Sequence, residues 1–494
     1  MESVIGLEIH AELKTKSKVF CRCQNVSNNL DVEPNKYICP ICTGQPGALP
    51  ILNKEAVRLV LLVGKALHCR IADITKFDRK SYFYPDLPKG YQISQYDLPL
   101  CYGGYLEIQD DQGNPKKIRI TRIHLEEDTA KLVHQPGKDY SLVNFNRSGV
   151  PLMELVTEPD IRSGKEARQF AQQLQLILRY LEASEANMEK GQMRCEVNIS
   201  LRPKNTEKLG TKVEIKNLNS FRVIEKAVDY EFNRQKEALE FGEKIIQETR
   251  GWNVGKQATV SQRLKEEAAD YRYFPEPDLP PLRVSLLDFD LFLPEMPQKK
   301  EKRLVDEYEI SQENAHVLIS YPRLSNYFEQ VCSELPQVEE ATQITESDWT
   351  KLKKIAANYL INDAPLITKF SLSEIEKNIS QKITPENFAE LVMVIAQGKI
   401  NSTAAQLVLK EMWATGADPT HIIQERNLEQ VKDESLLSEA IEKVIQENSN
   451  AVRDYQQGKK NAIQFLVGQV MRETKGKAEP NLVREMTKKR LDQE

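Results

Sequence analysis

Apolar and polar positions alternate along much of the chain up to about residue 290. This period of two is typical of strands that bury one face, because successive side chains of a strand point to opposite sides of the sheet. Two segments depart from it, residues 166–182 and residues 221–240, where apolar side chains recur at helical spacing. The pattern therefore predicts an α+β domain whose sheet is mainly antiparallel.

The pattern changes near residue 293, where Pro294 and Pro297 precede a charged helix start. Beyond this point glycines and alternating positions become scarce and helical periodicity dominates. A further break is expected near Gly398. We predict three domains: an α+β domain at residues 1–292, an all-helical domain at residues 293–398, and a helical tail at residues 399–494.

Several predicted strands carry acidic side chains on their polar faces. In residues 7–13 the apolar side chains take one face, which leaves Glu8, His10 and Glu12 on the other. The same alternation places Glu196 on the polar face of a second strand and Glu214 on that of a third. A solvated strand face would give the same pattern, since exposed Glu and His are common. Their recurrence favours a concave sheet that holds Mg²⁺, which takes oxygen ligands and bridges phosphates.

Three further carboxylates are candidates for this site. In residues 124–128 the alternation is impure, so it does not decide whether Glu126 or Glu127 points to the polar face, and both remain candidates. Glu154 stands between apolar neighbours, and a buried carboxylate needs a metal or another partner. A salt-bridged structural carboxylate explains Glu154 equally well.

Residues 76–92 interleave four cations with five aromatic residues, among them Lys80, Tyr82 and Tyr84. Such a composition suits phosphates and stacked bases, although a loop pinned to the core by its aromatic residues would look the same. Residues 270–278 have a similar character, and their two prolines exclude a regular helix. We interpret the first segment as a recognition segment and the second as a rigid loop.

Four cysteines near the N-terminus have metal-ligand spacing. Cys21 and Cys23 form a C-x-C pair, and Cys39 and Cys42 form a C-x-x-C pair. Two such pairs separated by a polar stretch suit a tetrahedral structural zinc site, with a redox pair as the main rival. Four thiolates would leave zinc no open position, so the site implies no catalysis.

Composition limits the functional classes. The chain has 494 residues and a formal net charge of -5, which argues against a general basic coat for nucleic acids. No stretch approaches the roughly 20 apolar residues of a membrane span, and no signal peptide is expected before the first strand, so we expect a cytoplasmic protein. The sequence has no phosphate-binding Walker loop, no dinucleotide-binding glycine fingerprint and no nucleophile elbow. Any nucleotide site must use another scaffold.

Seven segments together closely resemble the GatB family, the B subunits of tRNA-dependent amidotransferases. They are residues 4–13, 76–92, 120–128, 146–152, 214–221, 271–278 and 467–478. The resemblance implies a cradle-shaped catalytic domain similar to glutamine synthetase, followed by a helical domain and a tail similar to YqeY proteins. It also implies an ATP-dependent kinase that phosphorylates the side-chain carboxylate of a misattached amino acid on tRNA(Gln) or tRNA(Asn).

The resemblance further implies two protein partners. Ammonia displaces the phosphate in this family; it is released from glutamine by the amidase subunit GatA, and GatC clasps the other two subunits. The absence of an amidase nucleophile from this sequence agrees with that division of labour.

Carried onto this sequence, the resemblance implies roles for individual residues. The catalytic candidates are Glu8, His10, Glu126 and Glu127; the Mg²⁺ candidates are His10, Glu127, Glu154, Glu196 and Glu214. The ATP- or substrate-binding candidates are Lys80, Tyr82, Tyr84, Arg147, Lys216, Asn217 and Asn219. Many members of the family lack the four cysteines, so zinc rests on spacing alone. Glu196 stands where an aspartate is frequent.

The tail is basic although the chain is acidic. From residue 457 onward nine cations face five carboxylates, a net charge of +4, and the cations are Lys459, Lys460, Arg472, Lys475, Lys477, Arg484, Lys488, Lys489 and Arg490. A solvated helical face of mixed charge is the plainer interpretation, but the resemblance favours tRNA binding. Two alternatives for the whole chain stay open: a catalytically silent, zinc-stapled tRNA-binding scaffold, and a ligase that acts on free glutamate.

Overall fold

The computed structural model describes residues 1–26, 32–264, 271–338, 345–430, 434–457, 459, 461–474 and 478–492. The chain divides into two compact units, Met1–Met296 and Pro297–Glu494. The first unit contains the strands and the second is built from helices. The predicted order, a mainly antiparallel α+β domain followed by helices, is confirmed.

The strands of the first unit are mostly short, apart from three that exceed nine residues. They are β1 (Glu2–Glu12), β2 (Arg70–Ile71), β3 (Ile74–Thr75), β4 (Asp78–Ser81), β5 (Tyr91–Ser94), β6 (Cys101–Tyr102), β7 (Tyr105–Gln109), β8 (Pro115–Glu127), β9 (Lys131–His134), β10 (Ser141–Asn144), β11 (Pro151–Thr157), β12 (Met193–Arg202), β13 (Val213–Leu218), β14 (Glu248–Asn253), β15 (Ala258–Leu264), β16 (Phe274–Pro275) and β17 (Leu282–Arg283).

One large sheet organises these strands. Its order is β15-β14-β13-β12-β1-β11-β8-β6-β2, with β7 also paired to β8. Neighbours run antiparallel except for the parallel pair β13 and β14. The long strand β1 lies between β12 and β11, so its polar face is flanked on both sides by strands that carry charged residues.

Three helices cover the apolar face of this sheet: α1 (Lys54–Ala66), α2 (Gly164–Tyr180) and α3 (Phe221–Glu240). Leu7 and Ile9 of β1 pack in one core with Phe170 of α2 and Ile224 of α3. Each helix begins at a side chain that caps its free amides, Asn53, Ser163 and Ser220. The two helices predicted from periodicity are α2 and α3. Helix α1 was not predicted, because its own apolar side chains occupy most of its circumference.

The second unit consists of α4 (Pro297–Tyr308), α5 (Gln312–Ile319), α6 (Pro322–Glu334), α7 (Glu346–Asn358), α8 (Ala364–Thr368), α9 (Leu372–Lys382), α10 (Pro385–Ala396), α11 (Ser402–Thr415), α12 (Pro419–Arg426), α13 (Glu434–Glu447), α14 (Ser449–Gln456), α15 (Asn461–Glu473) and α16 (Pro480–Leu491). A π turn at Tyr359–Asp363 joins α7 to α8. Among the described residues, no helix has the length and apolar character that crossing a membrane requires.

The packing of this unit changes near residue 430. Helices α11 and α12 contact α8, α9 and α10, so they belong with the helices that precede them. A separate apolar cluster links α13 to α16, from Leu437 to Leu491. We call the residues from Glu434 to Leu491 the tail bundle. Of the basic residues predicted to bind tRNA, Lys460, Lys475 and Lys477 lie outside the described residues.

Candidate active site

A row of three ionisable side chains crosses the polar face of the sheet. The register pairs His10 of β1 with Glu154 of β11, and Glu154 with His124 of β8. Nε2 of each histidine lies 3.3 Å from Oε2 of Glu154. Antiparallel pairing thus brings together residues that are far apart in the sequence.

Glu126 and Glu8 extend this row. The two oxygens of Glu126 each lie 3.6 Å from a histidine nitrogen, one from His10 and the other from His124. Oε1 of Glu8 lies 3.9 Å from Nε2 of His10. Two groups of potential ligands result, Glu8 with His10 and Glu154, and His124 with Glu126 and Glu154; within each group the ligand atoms lie within 4.8 Å of one another. Carboxylate and imidazole donors in such an arrangement can hold a divalent cation.

The cluster concentrates negative charge in a buried place. Burial opposes the charged form of His10, but its hydrogen bond to Glu154 and the charge of that residue raise the pKa overall. Burial likewise opposes charge on His124, yet the carboxylates of Glu154 and Glu126 raise its pKa to about 9. Burial also raises the pKa of Glu8, with the charge of Glu154 adding to the effect. The carboxylates thus favour the protonated form of both histidines, and a bound cation would compensate the same negative charge.

Lys80 of β4 reaches the same cluster. Burial acts to lower the pKa of Lys80, but the charges of Glu126 and Glu154 outweigh it and raise the pKa. Burial raises the pKa of the neighbouring Tyr82, whose hydroxyl also feels the charges of Lys80 and Glu126. Tyr84 instead lies in an exposed loop, with 62% of its surface accessible. The structure brings Lys80 and Tyr82 to the cluster and leaves Tyr84 at the surface.

Glu127 lies in a different environment from Glu126. Its carboxylate accepts hydrogen bonds from Nζ of Lys89 and, at 2.8 Å, from the amide of Ile93. Glu126 accepts one at 2.9 Å from Oγ of Ser94 and contacts both histidines. Within the part of the chain that the structure describes, Glu127 does not join either group of potential metal ligands. Glu126 is therefore the carboxylate of this pair that the fold brings to His10.

Glu196 and Glu214 form a second, adjacent group around Lys216. The register places Glu196 opposite Glu8, and Nζ of Lys216 lies 2.9 Å from Glu196 and 3.9 Å from Glu214. Glu214 also accepts a hydrogen bond of 2.6 Å from Thr249. Among the described residues, neither carboxylate belongs to a group with metal-ligand geometry, and Lys216 is the cation that lies between them.

The other predicted binding residues lie around these groups. Asn217 and Asn219 are exposed at the end of β13, and Asn217 adopts the left-handed conformation with φ +62°. Arg147 donates to the carbonyl oxygens of Thr129 and Ala130 and lies 3.6 Å from Asp128. Arg147 thus fixes the chain that follows β8.

Three residues of the site escaped prediction from the sequence: Arg122, His124 and Tyr273. Arg122 and His124 precede Glu126 on β8 by four and two residues, so strict alternation would have placed all three on one face. Tyr273 comes from the segment just before β16 and stacks on Tyr96 with ring centroids 4.4 Å apart. No local spacing pointed to Tyr273.

The four N-terminal cysteines come together in one place. The Sγ atoms of Cys21, Cys23, Cys39 and Cys42 all lie within 4.8 Å of one another. A hydrogen bond from Cys21 lowers the pKa of Cys42 to about 5, and the charge of the buried Lys18 acts in the same direction. The amide of Cys39 donates to Sγ of Cys42 at 3.1 Å. The pKa of Cys42 is thus lowered, whereas contact with Cys42 raises that of Cys21 and burial raises that of Cys23. The compact arrangement of four sulfur donors fits a tetrahedral metal site.

Comparison with known proteins agrees with this geometry. Residues 3–287 match the family described as GatB/GatE catalytic domain, and residues 336–491 match the family described as GatB domain. The B subunits of aspartyl/glutamyl-tRNA(Asn/Gln) amidotransferases are similar over their full length. Those of Caldicellulosiruptor saccharolyticus and Thermotoga neapolitana are each 46% identical, with 99% of both chains covered, and that of Dehalococcoides mccartyi strain CBDB1 is 46% identical, with 100% of this chain and 99% of the relative covered. These matches confirm the resemblance drawn from the motifs.

Proposed function

The chain belongs to the GatB family, and from this premise we propose that it is the B subunit of an amidotransferase that converts Glu-tRNA(Gln), Asp-tRNA(Asn) or both into the amidated aminoacyl-tRNAs. The cluster of Glu8, His10, Glu126 and Glu154 carries this proposal, because charge-balanced carboxylates on a sheet face suit a cation that binds phosphates. A purely tRNA-binding scaffold would have no use for such a cluster.

The reaction that we propose for this subunit has two steps. An oxygen of the side-chain carboxylate on the aminoacyl-tRNA attacks the γ-phosphorus of ATP, and ADP leaves. Ammonia then attacks the activated carbonyl carbon, phosphate leaves with the C–O bond electrons, and the nitrogen loses a proton. An unmodified carboxylate oxygen is a poor leaving group. The first step joins it to phosphate, which is a good leaving group, and this is why ATP is needed.

The residues of the cluster take distinct parts in this scheme. Glu8, His10, Glu126 and Glu154 would hold Mg²⁺, which supplies charge neutralisation for the phosphates. Lys80 stands beside Glu126 and Glu154 as a fixed positive charge for the transferred group. Lys216, Asn217, Asn219 and Arg147 remain our candidates for binding ATP or substrate, and Glu127, Glu196 and Glu214 for further metal contacts.

The same proposal names the partners. Ammonia would come from an amidase subunit of the GatA type, with a small GatC-type subunit joining the two, and tRNA would be the macromolecular substrate. We place the assembly in the cytoplasm, where aminoacyl-tRNA is made and used.

Measuring ATP hydrolysis tests the proposed function. The reconstituted complex should hydrolyse ATP slowly alone or with free glutamate, and much faster with misacylated tRNA. Equal rates in all three conditions would point to the scaffold alternative, and stimulation by free glutamate would point to the free-glutamate ligase.

We also propose that Cys21, Cys23, Cys39 and Cys42 hold a structural zinc ion. The segment that carries them is tied to the loop that follows β10: Oγ of Ser148 donates to the carbonyl of Cys42 at 2.7 Å, and Nδ2 of Asn146 donates to that of Glu33 at 2.8 Å. Because Arg147 lies between these two contacts, the metal site would steady the residue that fixes the end of β8.

Replacing Cys39 with serine should remove this zinc and destabilise the first unit. Wild-type protein is expected to hold about one equivalent of zinc, and the variant none, with a loss of stability above about 4 kcal/mol, as for other lost metal sites. Elemental analysis and thermal unfolding measure both effects. The control is Cys69→Ser, because the Cys69 thiol donates to the carbonyl of Gly103 and a hydroxyl can do the same. A zinc-free wild-type protein would refute the assignment.

A further inference from the structure

Arg122 is a loosely paired cation on the polar face of the sheet, the face that carries the candidate active site. Its guanidinium lies 3.7 Å from Oε1 of Glu154, beyond hydrogen-bond distance, while both histidines approach the other oxygen of Glu154 more closely. Its Nε is buried and has no hydrogen-bond partner among the described residues. About a third of the side chain, 34%, remains exposed. A buried donor without a partner costs free energy, which is tolerated where a ligand completes the bond.

Neighbouring cations are more tightly held. Lys216 lies 2.9 Å from Glu196, Arg194 lies 3.0 Å from Asp128, and Lys89 is bonded to Glu127. Each of these cations has a carboxylate within 3.0 Å. Arg122 differs from them because Glu154 is shared with His10 and His124, so its guanidinium keeps donors available.

Tyr273 lies within electrostatic reach of Arg122 and Lys80. Burial raises the pKa of Tyr273 to about 12, and the charges of Lys80, Glu126, Glu154 and Arg122 all act on its hydroxyl. The segment that carries it is anchored beyond the site, where Arg79 makes two hydrogen bonds of 2.8 Å to the buried carboxylate of Glu276. Tyr273 is further fixed by its stack on Tyr96. The charges of two cations, Lys80 and Arg122, therefore act on a hydroxyl whose ring is held in place.

We propose that Arg122, together with Tyr273 and Lys80, forms a receptor for a pair of anionic oxygens on the reacting groups. This assignment rests on the proposed function and deepens it. The two candidate anions are the side-chain carboxylate of the aminoacyl-tRNA and a phosphate of ATP. A planar guanidinium suits either, because its parallel N–H groups match two oxygens of one anion. Arg122 is then a substrate-binding residue of this site.

Arg122→Gln in the reconstituted complex tests the receptor. Its kcat/KM for transamidation should fall about 100-fold, the effect of losing a bidentate charged contact, and Arg122→Lys should recover part of it because charge returns without the planar fork. A raised KM for misacylated tRNA alone assigns the anion to the carboxylate, and a raised KM for ATP alone assigns it to the phosphate. Tyr273→Phe, which keeps the stack on Tyr96, should raise the same KM by a smaller factor.

Arg119→Gln is the matched control. Arg119 stands on the same strand three residues earlier, pairs with Asp160, and is 67% exposed. Its kinetics and thermal unfolding should match those of the wild type, and glutamine hydrolysis by the partner should persist in every variant. The receptor is rejected if Arg122→Gln keeps both KM values and kcat/KM within about twofold of this control. It is also rejected if kcat falls with both KM values unchanged, because Arg122 would then act only through Glu154. A wild-type complex without tRNA-stimulated ATP hydrolysis rejects the proposed function itself.

Discussion

Replacing His10 with alanine should abolish ATP-dependent amide formation, with a loss of at least about 100-fold. His10 contacts Glu8, Glu126 and Glu154 at once, so its removal opens the centre of the proposed cation site. The fold should survive, because His10 lies on the polar face of β1 and the core is built by its neighbours Ile9 and Ala11. Glu8→Gln should have a similar effect, since it removes a charge without changing the shape.

Two measurements on each variant check this expectation: transamidation by the reconstituted complex, and thermal unfolding. His134→Ala is the control, because His134 is an exposed histidine on β9 that contacts Ser141 and lies in neither ligand group. Binding of Mg²⁺ to the free subunit gives a second readout and should weaken only in the His10 and Glu8 variants. Wild-type transamidation by either of these variants would show that the site has been assigned wrongly.

The face of β1 was predictable because only one side of that strand is apolar. Leu7, Ile9 and Ala11 are buried in the core while Glu8 and His10 face the other way, as a period of two requires. The register to β12 then sets Glu196 opposite Glu8. Such pairing depends on contacts across the sheet, which no local pattern in a single sequence contains.

The choice between Glu126 and Glu127 could not be made from the sequence, for a physical reason. Residues Ile123 to Glu127 are all buried, because β5 packs against the end of β8 and covers the side that would otherwise meet solvent. Polar side chains of β5 and of the loop before it receive the carboxylates: Ser94 donates to Glu126, and Lys89 binds Glu127. When both faces are buried, the alternation between apolar and polar residues disappears.

The local sequence pattern also does not show which helices of the second unit share a core. A glycine at position 398 marks a turn, and Gly398 does adopt a left-handed φ of +61°. The chain nevertheless returns after it, since α11 and α12 pack on α8, α9 and α10. A turn signal shows where a helix ends but not which helices share a core. A truncation that spares this packing has to fall near residue 430 rather than at the predicted break near Gly398.

Three cations of the tail bundle lie at the surface of α16. Arg484, Lys488 and Lys489 of α16 are exposed, and within the described residues no ion pair involves them. Arg484 and Lys488 are four residues apart, so they lie on one face of the helix. The side chains of Val483 and Leu491, and not these exposed cations, pack in the bundle core. Charge on this surface can therefore change without disturbing the core.

Neutralising Arg484, Lys488 and Lys489 together by glutamine should weaken tRNA binding and flatten its dependence on salt. If each contacts one phosphate, the slope of log affinity against log salt should become shallower by about 2.7, because roughly 0.9 counterion is released per contact with duplex. Affinity measured at several salt concentrations for the complex reports both effects.

The matched control exchanges the same positions conservatively, Arg484→Lys with Lys488→Arg and Lys489→Arg, and should keep the wild-type slope. Glutamine hydrolysis by the partner should not change, because the substitutions alter only exposed side chains of α16. An unchanged affinity and slope in the neutralised variant would reject this helix as a tRNA-binding element, because phosphate contacts cannot be lost without a change in counterion release.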